Sequence, residues 1–192
     1  MSRTVVCFGD SNTWGYVPGS DAERFPRDVR WPGGLADAVA AEWEVVAEGL
    51  NGRTAAIESP VEDGRNGATY LLPCLRSHKP LDAVVIYLGT NDVNFLRDDL
   101  VARSVGRLVK LTRTSETGVG GGAPAVLVVC PPPFEGHHLG PFYAEVCGEL
   151  RCDLLDLDGI ASYSAHDPEH LDETGHGAVA AAVESWLRGL PA

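Results

Sequence analysis

The sequence is poor in basic residues: 15 Lys and Arg stand against 27 Asp and Glu, a formal charge of −12. No Lys/Arg-rich run occurs, and the isoelectric point is near 4.8. This deficit argues against electrostatic capture of nucleic acid or of an anionic membrane surface, and favours a neutral or cationic small partner. Cysteine is sparse and unpatterned. Cys7, Cys74, Cys130, Cys147 and Cys152 form an odd set without a Cys-x-x-Cys pair, which excludes a dense disulfide framework and predicts reduced thiols in a cytoplasmic protein. No apolar run approaches the roughly 18 residues of a membrane span. The first residues reach Asp10 before any apolar stretch of signal-peptide length, so the start of the sequence is expected to be the mature start. There is no internal repeat, and the only low-complexity piece is residues 118–122.

What is present is core material. With 192 residues and 44% hydrophobic content, the chain suits one globular domain over residues 1–192. Short, nearly continuous β-prone runs recur at residues 4–8, 45–50, 83–88, 125–130 and 154–157, the pattern of strands buried on both faces. Helical stretches alternate with them at 34–43, 67–77, 98–114, 141–150 and 172–188. Five alternations predict an α/β three-layer sandwich: a five-stranded parallel sheet with helices on both faces, resembling flavodoxin in architecture. Ligand chemistry then belongs beyond the C-terminal strand ends.

The residues that follow those ends are the reactive ones. Gly9-Asp10-Ser11-Asn12-Thr13-Trp14-Gly15 follows the first run, Asn51-Gly52-Arg53 the second, Gly89-Thr90-Asn91-Asp92 the third and 165–170 the fifth. A serine just past a buried strand can present its hydroxyl and its own N–H to one cleft, which suits acyl transfer; the competing reading is that Asp10 and Ser11 only cap a turn or helix. The spacing is not the Gly-x-Ser-x-Gly elbow. A base must come from His78, His137, His138, His166, His170 or His176. His170 stands out because Asp167, three residues earlier, can hold its imidazole in one tautomer, although 167–170 also reads as a solvated turn. Gly52 can bring a backbone N–H close, and Asn91 can offer neutral amide hydrogens to an oxyanion, but each is equally at home in a turn.

Other patterns lead elsewhere. Gly118-Val119-Gly120-Gly121-Gly122-Ala123 has the letters of a dinucleotide fingerprint but follows a helix and precedes a strand, the reverse of the required order, and reads as a linker. His166 with His170, or Glu135 with His137 and His138, gives no complete ligand set, and Pro168 breaks a helical two-histidine face, so no metal is expected. Trp14, Tyr16, Phe95 and Phe134 could form a protein-binding patch or line an acyl pocket.

The ordered blocks Gly9-Asp10-Ser11 with Gly15, Gly52, Gly89-Thr90-Asn91-Asp92 and Asp167-x-x-His170 resemble the SGNH hydrolases, the GDSL-type esterases and lipases, over nearly the whole chain. More locally, residues 7–15, Asp28-Val29-Arg30-Trp31, residues 48–54 and 128–133 look like the bacterial arylesterase and acyltransferase branch. Two departures are Asn12, where the family name expects leucine, and a short segment at 134–139. The resemblance implies Ser11 as nucleophile, His170 as general base and acid and Asp167 as orienting carboxylate. The oxyanion hole it implies comprises the Ser11 and Gly52 N–H groups and the Asn91 amide. Asp10, Asn12, Trp14, Asp92 and Phe134 are the candidates for substrate contact, and residues 19–32 for cover over the cleft. The expected activity is hydrolysis of small carboxylic esters through an acyl-Ser11 intermediate, with acyl transfer to alcohols, without cofactor. A carbohydrate or metabolite O-deacetylase and a non-catalytic ligand-binding module are the competing functions. Self-association into a homo-oligomer is left open.

Overall fold

The computed structural model describes residues 2–191. In chain order the main elements are β1 (Arg3–Gly9), α1 (Ser11–Trp14), α2 (Trp31–Val39), β2 (Trp43–Gly49), α3 (Gly67–His78), β3 (Ala83–Tyr87) and α4 (Asp98–Arg113). Then come β4 (Ala125–Cys130), α5 (Gly140–Leu150), β5 (Asp153–Asp156), β6 (Tyr163–Ser164), β7 (Asp167–Leu171) and α6 (Glu173–Gly189). The first five strands form one parallel sheet in the order β2-β1-β3-β4-β5, and β6 and β7 pair separately as an antiparallel hairpin.

Both faces of the sheet are apolar because alternate residues of each central strand enter different cores. Val6, Phe8, Val84, Ile86, Val126 and Val128 pack under α3, α4 and α5 with Leu71, Leu75, Val105 and Leu108. Val5, Cys7, Val85, Tyr87, Leu127 and Val129 pack under α2 and α6 with Trp31, Leu35, Val179, Val183 and Leu187. That is the expected three-layer sandwich.

The strand order reverses direction at β1. From β1 the chain crosses outward to β2, then returns over β1 to β3, so the loops after β1 and β3 diverge and leave a crevice at the carboxyl ends. Gly9 closes β1 there, and its small size is required. A Cβ on it would lie 2.0 Å from Thr13 Oγ1 and 2.7 Å from the Tyr87 carbonyl oxygen.

Three local expectations are corrected. Helix α2 starts at Trp31 and not at residue 34, because Pro32 occupies the first turn, where a missing N–H costs nothing; β2 accordingly begins at Trp43. The segment around His170 is a strand of a two-stranded hairpin and not a turn. Pro168 is accommodated there because a short ribbon leaves some N–H positions unpaired. Ser11 opens a four-residue helix capped by the Asp10 side chain, so the capping geometry is present and leaves the Ser11 hydroxyl itself outside the cap bond. Residues 119–121 form a 3-10 turn between α4 and β4, in keeping with a connector. All five cysteines are free, and no helix among the described residues is long and apolar enough to cross a membrane.

Candidate active site

Ser11 is the first residue of α1, directly beyond the end of β1. Asp10 precedes it as N-cap, its Oδ1 accepting the Asn12 N–H at 3.0 Å. This turn-and-cap unit fixes the direction in which the Ser11 side chain leaves the sheet. The Ser11 Oγ lies 3.0 Å from His170 Nε2. On the other side of the ring, His170 Nδ1 lies 2.9 and 2.8 Å from the two oxygens of Asp167. Asp167 and His170 stand at opposite ends of one four-residue stretch of β7, so a single strand delivers both. Tyr16 stacks on the imidazole at 4.3 Å between ring centres.

The turn carrying Gly52 and the loop carrying Asn91 hang on the end of β1. The Leu50 N–H and an Arg53 Nη1 hydrogen both donate to the Gly9 carbonyl, at 3.1 and 2.8 Å. The same Arg53 nitrogen also donates to the Glu48 carbonyl, and the guanidinium lies 4.2 Å above the Phe8 ring. Gly52 has φ +70°, a left-handed conformation in which a side chain is strained. Asn91 Nδ2 donates to the Arg53 carbonyl at 3.1 Å, leaving its second N–H for another acceptor. Gly52 and Asn91 line one cavity of ≈ 180 Å³ together with Arg65 and Phe95.

Residues 7–178 match the model of the GDSL-like lipase/acylhydrolase family. The chain belongs to this family. Family membership makes it a carboxylic ester hydrolase of the serine-esterase type. The native aryl esterase of M. smegmatis is 38% identical, with 99% of this chain and 100% of that chain covered and a TM-score of 0.92. A carbohydrate acetylesterase from Sinorhizobium meliloti is 32% identical over 99% and 100% of the two chains, with a TM-score of 0.91. An active-site mutant of a family two carbohydrate esterase from Clostridium thermocellum shares the fold at 17% identity, TM-score 0.70, over 97% of this chain and 63% of that one. No protein of curated function matches the chain in sequence.

In this GDSL-family chain the electrostatics of the site divide into a wet edge and a dry floor. At the edge, partial burial acts to raise the Asp167 pKa. Hydrogen bonds from the Gly19 N–H, His170 and the Glu169 N–H outweigh it and hold the carboxyl below its usual range. In the floor, burial pushes Asp10 up to about 7 and Asp92 up to about 6.

Three of the residues expected to contact substrate belong to that floor. Asp10 is fully buried beneath α1. Asp92 is also buried, both its oxygens accepting the Ala55 N–H at 3.0 Å. Asn12 is 1% exposed, with its amide bound to the backbone of β7 at both ends. Their side chains are buried and bonded within the protein, where they brace the loops. Phe134, 6% exposed, packs edge-on to Tyr163, so the four aromatics form no continuous exposed patch; Trp14 is half-buried beside the Arg24 guanidinium. Sequence reasoning missed the Tyr16 stacking, the Gly19 N–H on Asp167 and the bracing by Arg53. Of these, only Arg53, next to a loop glycine, carried a signal in the sequence.

Of the other histidines, His78, His137 and His176 are engaged elsewhere, and His138 and His166 are exposed. His176 is buried, accepts the Trp31 N–H, and has its pKa lowered to about 4 by burial. His137 pairs with Asp98 at 2.7 Å. Both His170 nitrogens already have partners, Nδ1 on Asp167 and Nε2 on Ser11. Among the described residues one group has a metal-ligand composition: Glu48, Cys74 and His78, with ligand atoms within 4.8 Å of one another. There His78 and Glu48 already pair at 3.0 Å, and burial followed by the Glu48 charge pushes the Cys74 thiol up to about 12. With the Arg53 guanidinium as a further neighbour, the group is accounted for as a hydrogen-bonded cluster against the core.

Proposed function

We propose that this hydrolase works as one SGNH-type domain in which Ser11 is the nucleophile, His170 the general base and acid, and Asp167 the carboxylate that orients the imidazole. The observation that carries the reading is the unbroken chain from Ser11 Oγ through His170 to Asp167, with contacts of 3.0 and 2.8 Å. Ser11 Oγ attacks the ester carbonyl carbon while its proton passes to Nε2, and the carbonyl π electrons move onto oxygen. The Ser11 and Gly52 N–H groups and the free Asn91 amide hydrogen receive that oxyanion. Collapse breaks the bond to the alkoxide, which takes the proton from Nε2 and leaves. Water, or a second alcohol, then gives its proton to Nε2, attacks the acyl carbonyl and restores the Ser11 hydroxyl. Asp167 stabilises the imidazolium throughout without accepting the proton.

Small acyl groups are the proposed substrates. The chain spans the full length of the aryl esterase and acetylesterase structures it matches, and α1 follows β1 with no inserted lid. Trp14, beside the nucleophile on a half-buried face, is the proposed substrate contact among the original candidates. The likeness to a carbohydrate acetylesterase supports a second reading, O-deacetylation of a sugar or metabolite, which uses the same machinery. A cytoplasmic setting belongs to the proposal and is supported by the five free thiols.

The test is intact and peptide mass analysis after mixing with 4-nitrophenyl acetate and quenching in acid. One acetyl group on the peptide containing Ser11 is the expected result; acetyl groups confined to lysines or to other serines would remove Ser11 from the role. Comparing aryl acetates with acetylated sugars by kcat/KM separates the two substrate readings.

A further inference from the structure

Asn12 stands next to Ser11, and its side chain closes a circuit between the nucleophile and the base. Its Nδ2 donates to the Glu169 carbonyl at 2.9 Å, and its Oδ1 accepts the Leu171 N–H at 2.9 Å. Those two groups belong to the peptides on either side of His170. One amide thus makes the two bonds that a residue of a parallel strand lying opposite His170 would make through its own backbone. The bonds span 157 and 159 positions of sequence, and Asn12 is 1% exposed, so water does not compete for them. Its backbone N–H is in turn fixed to Asp10 Oδ1. The Ser11 backbone and the His170 backbone are therefore joined through one rigid side chain.

β7 is also held by its pairing with β6 and by the buried Leu171, but neither ties it to the turn that carries Ser11. Tyr16 covers one face of the imidazole and spends its hydroxyl on the Ser20 carbonyl, so it makes no hydrogen bond to the ring. The bonds of Asp167 to His170 and Glu169 lie within the same short stretch of chain, and its bond to the Gly19 N–H is to an exposed loop, so they orient the ring without setting its distance from Ser11. A leucine, the residue that the family name places at position 12, has neither a donor nor an acceptor for these peptides.

We propose that Asn12 is a positioning residue, which sets the reach of His170 Nε2 to Ser11 Oγ by clamping the two peptides that flank His170. The proposal rests on the reading of Ser11 as nucleophile and His170 as base. Asn12 touches neither substrate nor the transferred proton; its effect runs through the strand. A misplacement of reacting groups by about 1 Å can cost on the order of 100-fold in rate.

The experiment compares wild type, Asn12→Leu, Asn12→Asp and Ser11→Ala with 4-nitrophenyl acetate. In each, active sites are counted by exhaustive reaction with a fluorophosphonate, and the downfield NMR signal of the His170 Nδ1 proton is recorded. Asn12→Leu, which removes both bonds, is expected to lower kcat per titrated site by about 100-fold with KM unchanged, and to shift or broaden the imidazole signal. Asn12→Asp is nearly isosteric and keeps the bond from the Leu171 N–H; it is expected to lose less and supplies the test should the leucine variant fail to fold. Wild-type kcat per titrated site in either variant overturns the proposal, as does a loss that lies only in the fraction of titratable sites. If Ser11→Ala itself keeps the wild-type rate, the nucleophile reading fails first and the positioning role falls with it.

Discussion

Replacing Asp167 by asparagine changes one atom and is expected to remove most of the activity while leaving the fold in place. In the wild type the carboxylate is an acceptor only: it receives His170 Nδ1 at 2.9 and 2.8 Å, the Glu169 N–H on Oδ1 at 3.1 Å and the Gly19 N–H on Oδ2 at 3.1 Å. An asparagine has an oxygen on one side only, so its NH2 must face a group that was donating. Keeping the short-range bond from the Glu169 N–H turns the NH2 toward Gly19 and His170. When Nδ1 accepts from that NH2, at the 2.8 Å position, the ring proton moves to Nε2, where it points at Ser11 and blocks proton removal; the retained oxygen, 2.9 Å from Nδ1, leaves the original tautomer as the source of residual activity. The corresponding exchange in a serine-protease triad costs ~10⁴-fold in kcat, about 5 kcal/mol of barrier, and a loss of that order is expected here. The stability cost is small by comparison, about 1 kcal/mol, because the orphaned Gly19 N–H is exposed and water replaces the lost acceptor. Steady-state hydrolysis of 4-nitrophenyl acetate, with a urea melt alongside, measures both. A folded Asp167→Asn protein that loses less than about tenfold in kcat would refute the argument that Asp167 sets the His170 tautomer.

Removing the Asn91 amide in Asn91→Ala is expected to lower kcat by roughly 100-fold to 1000-fold, less than loss of Ser11; full kcat with an ester substrate would take Asn91 out of the oxyanion hole. Asp10 yields a stability prediction whose sign follows from its raised pKa. Between the ordinary value of 3.8 and about 7, the folded protein keeps a proton that the unfolded chain has released, so stability falls as pH rises through that window. Asp10→Asn removes this contribution, while Asp92, shifted in the same direction, keeps its own. Urea midpoints should therefore favour the variant more at about pH 8 than at about pH 5, and an equal difference at the two pH values would show that Asp10 ionises freely in the fold. Gly9→Ala forces a Cβ to within 2.0 Å of Thr13 Oγ1 and 2.7 Å of the Tyr87 carbonyl oxygen, which prises α1 and β3 from the end of β1. A loss of at least about 2 kcal/mol by denaturant melt is expected, and an unchanged midpoint would contradict the close approach of these backbones.

The sheet was legible because its central strands are buried on both faces. Residues 83–88 and 125–130 are almost wholly apolar and admit little other than parallel strands between helices. The meeting of Ser11, His170 and Asp167 was legible for a related reason: strand ends in an alternating α/β chain converge at one edge, so polar residues just past them are brought together whatever lies between. What escaped the sequence depends on the direction of side chains. Asp10, Asn12 and Asp92 sit among the reactive residues, and nothing in their identity tells a carboxylate turned into the floor from one turned toward a ligand. Only the buried Ala55 N–H and the β7 backbone decide it. The β6–β7 hairpin was equally hidden, since a two-residue strand carries no period and Pro168 reads as a turn. Phe134 looks like a rim residue until Tyr163, distant in sequence, is seen packed against it.

The most direct test of the central claim is the pre-steady-state reaction of purified wild-type protein and a folded Ser11→Ala variant with 4-nitrophenyl acetate, following 4-nitrophenolate release. The account predicts, for the wild type, release that begins with acylation of one site per chain and continues at a steady rate, and, for the variant, neither the initial acylation nor turnover above the uncatalysed background. A variant that releases 4-nitrophenolate as fast as the wild type would contradict it, since the turnover would then come from groups other than Ser11.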